Sequence, residues 1–131
     1  MTLERVSRWV QTLPERDRNL PIIEYNGRKW TPNEILHQIS TQPYALLSQN
    51  LQKLLEAKAF GPTANIEALA KERLIRLLQT GPSFRIHTLT AVGPKVITSQ
   101  QLLNEVILET PLGKSFIQAE AARMKILLSK F

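Results

Sequence analysis

Much of the first half of this chain recurs about 67 residues further on. Val6 to Pro14 aligns with Leu74 to Pro82, which keeps Arg8 with Arg76, Gln11 with Gln79, Thr12 with Thr80 and Pro14 with Pro82 in register. Farther along, Thr31-Pro32-Asn33-Glu34-Ile35-Leu36 meets Thr98-Ser99-Gln100-Gln101-Leu102-Leu103, with Ile39 opposite Val106. Asn26-Gly27 and Gly93-Pro94 precede these two segments, and Pro43 and Pro111 follow them. Self-similarity at a fixed offset constrains architecture before any local propensity does, because like segments build like supersecondary units. The pattern describes two copies of a helix–hairpin–helix unit, about 2–61 and 62–131, within a single domain of 131 residues and related by a pseudo-twofold. Chance matching among common residues is the competing explanation, and the residues alone leave both open.

A chain of this length can bury a sizeable core. Its 43% hydrophobic and 21% charged residues describe a folded chain rather than a disordered one. Aromatics are sparse, so Leu, Ile, Val and Ala must supply most of the packing. No apolar run approaches the roughly 18 residues that a membrane span needs. Met1-Thr2-Leu3-Glu4-Arg5 lacks the layout of a secretory signal. Cysteine is absent, which excludes disulfides, thiolate catalysis and thiolate-held metals. Together these features point to the cytoplasm.

The net charge of +6 invites a nucleic-acid reading. The basic residues are nevertheless dispersed: Arg16 with Arg18, Arg28 with Lys29, Arg73 with Arg76, and Arg123 with Lys125 are each diluted by acids or apolar residues. No block of about five like charges occurs. A modest excess spread in this way more often serves solubility.

Helical periodicity over 2–13 places Leu3, Val6, Trp9, Val10 and Leu13 on one face, and Pro14 ends that helix. Residues 21–25 and 28–30 read as strands joined by Asn26-Gly27, a pair suited to a type I′ turn because both positions need positive φ. Thr31-Pro32-Asn33-Glu34 is a capping box with Pro at the first helical position, opening a helix to about Ser40. A longer helix follows from Pro43 to about Ala59. Residues 65–79 form the most regular amphipathic stretch, with Glu67–Lys71 and Glu72–Arg76 at pairing distance. Residues 84–92 and 95–97 read as a second hairpin, Thr98 with Gln101 as a second capping box, and 110–131 as a closing helix. The expected fold is mainly α, with five to six helices and one or two short β-hairpins.

Little here suggests catalysis. Glu34 and His37 form one Glu-x-x-His pair, a spacing used by bundle di-metal sites, but the echo offers Gln101 and Asn104 where a second pair would stand. His87 has no partner at ligand spacing, Asp17 is the sole aspartate, and no glycine is left over for a phosphate loop. No cofactor, metal or catalytic residue is therefore expected, and an enzyme is the distant alternative. The leading expectation is a non-catalytic protein–protein interaction module, an adaptor, assembly factor or regulator binding through apolar helix faces. Phe116, Met124, Leu127, Leu128 and Phe131 on the last helix are the candidate interface, facing another protein or a second copy in a homodimer. The alternative is a nucleic-acid-binding regulator using Arg8, Arg28, Lys29, Trp30, Arg76 and Lys95, since cations beside an aromatic ring can hold phosphates and stack bases.

Overall fold

Both capping boxes form, and they open helices at corresponding places in the two halves of a computed structural model, which describes residues 2–131 apart from the side chain of Thr90. The Thr31 hydroxyl accepts from the Glu34 amide while the Glu34 carboxylate accepts from the Thr31 amide, starting α2 (Pro32–Thr41). Thr98 and Gln101 exchange the same two bonds at the start of α5 (Ser99–Leu108). Ahead of the first box lie α1 (Thr2–Thr12), a 3₁₀ turn at Glu15–Asn19, and the hairpin β1 (Ile23–Tyr25) and β2 (Arg28–Trp30). Ahead of the second lie α4 (Ile66–Thr80) and the hairpin β3 (Arg85–Thr90) and β4 (Gly93–Thr98). Each capped helix is followed by another, α3 (Leu46–Glu56) or α6 (Pro111–Ser129). The fold is mainly helical, with six α-helices and two antiparallel two-stranded sheets among the described residues. Helix, hairpin, capped helix and second helix thus recur in the same order, with the 3₁₀ turn added in the first half.

Asn26 (φ 57°) and Gly27 (φ 72°) adopt the positive φ that their turn requires, and Ile23 stands opposite Trp30. The strand expected from Pro21 starts at Ile23, and the helix expected from Pro43 starts at Leu46. The second shift has a local cause: Gln42 closes α2 and then accepts a bond from the Ala45 amide, so residues 42–45 form a turn.

Two apolar cores result. Val6, Trp9, Val10, Leu13, Ile22, Ile23, Trp30, Ile35, Ile39, Leu51 and Leu55 build the first from α1, the β1–β2 hairpin, α2 and α3. Leu69, Ala70, Leu74, Ile97, Leu102 and Val106 build the second from α4, β4 and α5. Helix α6 serves both: Ile117, Ala121 and Met124 enter the second core, and Leu127, Leu128 and Phe131 enter the first.

This packing corrects the expectation for the C-terminal helix. Leu127, Leu128 and Phe131 meet their own α1, where the Trp9 indole N–H donates to the Leu127 carbonyl at 2.9 Å. Phe131 stands edge-on to Trp9, with ring centroids 5.8 Å apart, under the Arg5 guanidinium. Their apolar surface is occupied within the chain, so it offers no interface.

Candidate functional site

The residues considered for phosphate contact are mostly neutralised. Arg28 lies over the Trp30 ring at 3.9 Å and pairs with Glu34 at 2.6 Å. Trp30 itself is buried and donates its indole N–H to the Tyr25 carbonyl, so it provides no exposed stacking platform. The structure brings Lys29 and Arg76 together, but around a carboxylate: Glu72 lies 2.7 Å from Lys29 Nζ and 3.2 Å from Arg76 Nη2. Burial acts to raise the Glu72 pKa, and the Lys29 and Arg76 charges overcome it and hold the carboxyl below the usual range. Arg8 is exposed on α1, and Lys95 is exposed on β4. These six residues do not form one surface.

His37 is exposed and lines an open cavity of about 330 Å³ with Arg28, Trp30, Asn33, Glu34 and Gln38. The Glu34 carboxylate beside it already receives the Thr31 amide and the Arg28 guanidinium. Burial alone would raise the Glu34 pKa; those two donors outweigh it and depress it. A group held ionised in this way is a poor general acid, and no group of three or more metal-ligating side chains occurs among the described residues.

The most unusual chemistry is a buried ion network that joins the two halves. Arg73, fully buried on α4, uses all three guanidinium nitrogens: Nη2 to Asp17 Oδ1 at 2.5 Å, Nε to Glu120 Oε1 at 3.2 Å and Nη1 to the Pro21 carbonyl at 3.0 Å. Arg123 takes the second Asp17 oxygen at 2.6 Å, and Arg16 approaches Glu120 at 3.5 Å. Burial pulls the Arg73 pKa down against the opposing pull of Glu120 and Asp17. Such a network fixes the 3₁₀ turn to α4 and α6, and removing one partner would leave charge stranded in the interior. Its members hold one another, which makes it a staple rather than a reaction centre. It also redirects part of the sequence reading, because the only aspartate and one of the helix glutamates are core groups.

An apolar cavity of about 280 Å³ lies beside this network, walled by Leu77, Leu78, Phe84, Ile86, Leu102 and Phe116. Phe116 is half-buried there, whereas Met124 is fully buried in the second core. The expected Glu67–Lys71 pair gives way to Lys71 with Glu109 at 3.2 Å.

The β3–β4 hairpin is the element with the most unspent surface. Its register sets Arg85 opposite Thr98, Ile86 opposite Ile97, His87 opposite Val96 and Leu89 opposite Pro94. Side chains alternate across a sheet, so Ile86 and Ile97 turn inward and anchor the base on the second core. The opposite face carries Arg85, His87, Leu89, Pro94 and Val96, all exposed. Leu89 is 80% exposed, Val96 47%, and Val92 in the connecting turn 95%. No acidic residue occurs between Glu72 and Glu105, so the whole hairpin is basic or neutral. The hairpin was legible from the sequence; the exposure of its apolar end was not.

No helix among the described residues is long and apolar enough to cross a membrane. No protein-family model, curated protein or solved structure matches this chain.

Proposed function

We propose that this chain is a cytoplasmic, non-catalytic binding module for another protein, with the contact made through the β3–β4 hairpin rather than the C-terminal helix. The observation that carries this reading is the exposure of Leu89, Val92 and Val96 on one small hairpin whose base is anchored in a core. Covering a Leu or Val side chain is worth about 1.5–3 kcal/mol, so a partner that buried this face would gain substantially. Protein is favoured over nucleic acid because Arg28, Lys29 and Arg76 are engaged by carboxylates.

A photo-crosslinking residue at Val92 in the intact chain, expressed in its own cells, tests this. A discrete, nuclease-resistant adduct that disappears in the Leu89→Ser, Val96→Ser double variant is the expected result. Adducts that are diffuse or insensitive to that double variant would defeat the reading, and an adduct lost on nuclease treatment would transfer it to nucleic acid.

A further inference from the structure

We infer that the β3 edge is a docking site for an extended, acidic segment of the partner, which joins the hairpin as a third strand. The inference rests on the hairpin being the contact surface and adds the mode and the chemistry of the contact.

The argument begins with where the backbone groups point. The Ser99 amide donates to the Phe84 carbonyl at 2.8 Å, just beyond the Arg85–Thr98 pair. In an antiparallel ladder bonded and non-bonded pairs alternate, so the pairs of Ile86 and Thr88 face into the hairpin. Arg85, His87 and Leu89 then direct their N–H and C=O groups outward along β3. On β4 the outward positions are Pro94, Val96 and Thr98. Pro94 has no N–H to offer, and the Thr98 N–H is already bonded to Gln101 Oε1 at 2.9 Å. One edge is therefore shut at two of its three donors. The other is open at all three, since no other strand pairs with β3 among the described residues.

The first hairpin shows what an edge looks like when covered. There the outward Glu24 amide donates to the Phe60 carbonyl at 2.8 Å, so a stretch of the chain between the halves lies along β1. Gly61 approaches so closely that a Cβ at that position would stand 1.8 Å from the Glu24 carbonyl oxygen. Among the described residues nothing comparable lies against β3.

Charge then selects the occupant. Arg85 and His87 share the exposed face with Leu89, Lys95 is exposed on the opposite face of β4, and acids are absent from Glu72 to Glu105. A strand alternating acidic and β-branched residues would satisfy the outward amides and set its carboxylates on the face of Arg85 and His87, the aliphatic stems of its glutamates lying against Leu89 and its β-branched residues falling on the other face. A second copy of this chain would bring Arg85 and Lys95 again, together with a net charge of +6, which like-charge repulsion opposes.

The test uses the full chain with capped peptides of about six residues, a usual strand length, alternating Glu with Val or Lys with Val. Backbone amide exchange and chemical shifts supply the readout. The Glu–Val peptide should bind roughly tenfold more tightly than the Lys–Val peptide at low salt and should slow exchange at Arg85, His87 and Leu89. His87→Pro removes one outward donor from β3 while sparing the ladder within the hairpin, and should abolish that binding. Val96→Pro makes the matching change on β4 and should leave it intact. Arg85→Glu should reverse the peptide preference. Equal binding of the two peptides, no added protection, or equal sensitivity to both prolines would overturn strand addition. Protection of the β3 amides in the chain alone, accompanied by dimerisation in sedimentation, would give the edge to a second copy and overturn the acidic occupant. Because the Val92 crosslink does not depend on strand pairing, its persistence in His87→Pro would leave the hairpin as the interface while removing this mode.

Discussion

The two hairpins of this protein start from similar instructions and finish in opposite conditions. Each follows a helix and leads into a capped one, and each has positive-φ glycine at its turn, Gly27 or Gly93. β1–β2 is short, buries Ile23 and Trp30, and has its β1 edge bonded to Phe60. β3–β4 is twice as long, buries only its base, and presents Leu89 and Val92 to solvent. The contrast separates a structural hairpin from one whose surface is unspent. What distinguishes them is the stretch around Phe60 and Gly61, together with the two residue types at the strand ends: a tryptophan in β2 and exposed aliphatics in β3 and β4.

The largest effect should come from the side chains that make this difference. Trp30→Ala should cost about 3–5 kcal/mol, because it empties a buried aromatic site in the first core. Leu89→Ala should change stability by no more than about 0.5 kcal/mol, as expected of an exposed position. Denaturant midpoints measure both, and comparable losses would mean that the second hairpin is packed as tightly as the first.

Next come the glycines. Gly61→Ala combines strained φ (+127°) with a direct clash against the Glu24 carbonyl, and should cost at least about 2 kcal/mol. Gly93→Ala meets only the strain of φ +113°, with open space around the new methyl, and should cost about 1–2 kcal/mol. If Gly61→Ala proved the milder change, the covering of β1 would be a loose contact rather than a close one.

The smallest effects test what the two halves share. Thr31→Ala and Thr98→Ala should each cost about 1 kcal/mol. Acid should then tell the caps apart, because Glu34 titrates and Gln101 does not. The Glu34 pKa is depressed in the fold, so its contribution is complete above the ordinary carboxylate value and is lost as pH falls through the lowered one. Protection of the Thr31 amide, taken relative to its intrinsic exchange rate at each pH, should fall in that range while the Thr98 amide stays protected. Parallel behaviour of the two amides would show that the Glu34 carboxylate adds nothing to its cap.

Local chemistry made most of the elements legible in advance. Thr31-Pro32-Asn33-Glu34, Asn26-Gly27 and the stripe through Leu69 and Leu74 each carry their own physical cause, and each formed where expected. Long-range pairing was not legible in that way. Arg73 sits one turn from Leu69 and Ala70 on an apolar stripe, and Glu120 sits likewise between Ile117 and Met124. A cation and an anion in separate buried stripes are a pairing signal, yet their charge ranks them as surface residues. The C-terminal stripe was recognised correctly as apolar and assigned the wrong neighbour, because amphipathicity reveals that a face is covered and not by what. Exposure of the β3–β4 tip is the converse case, since alternation marks a sheet face without saying whether anything lies over it.

The reach of α6 across both cores has a consequence for biosynthesis. Leu127, Leu128 and Phe131 complete a core whose other buried members all lie at or before Leu55. A ribosome would therefore have exposed Trp9 long before translating the residues that cover it. The first core stays incomplete until residues 127–131 have been made, although domains generally fold in the order of synthesis. Nascent chains stalled shortly before Leu127 should accordingly be held by chaperones and cut readily near Trp9, whereas chains extended beyond Phe131 by a linker long enough to clear the exit tunnel should resist both.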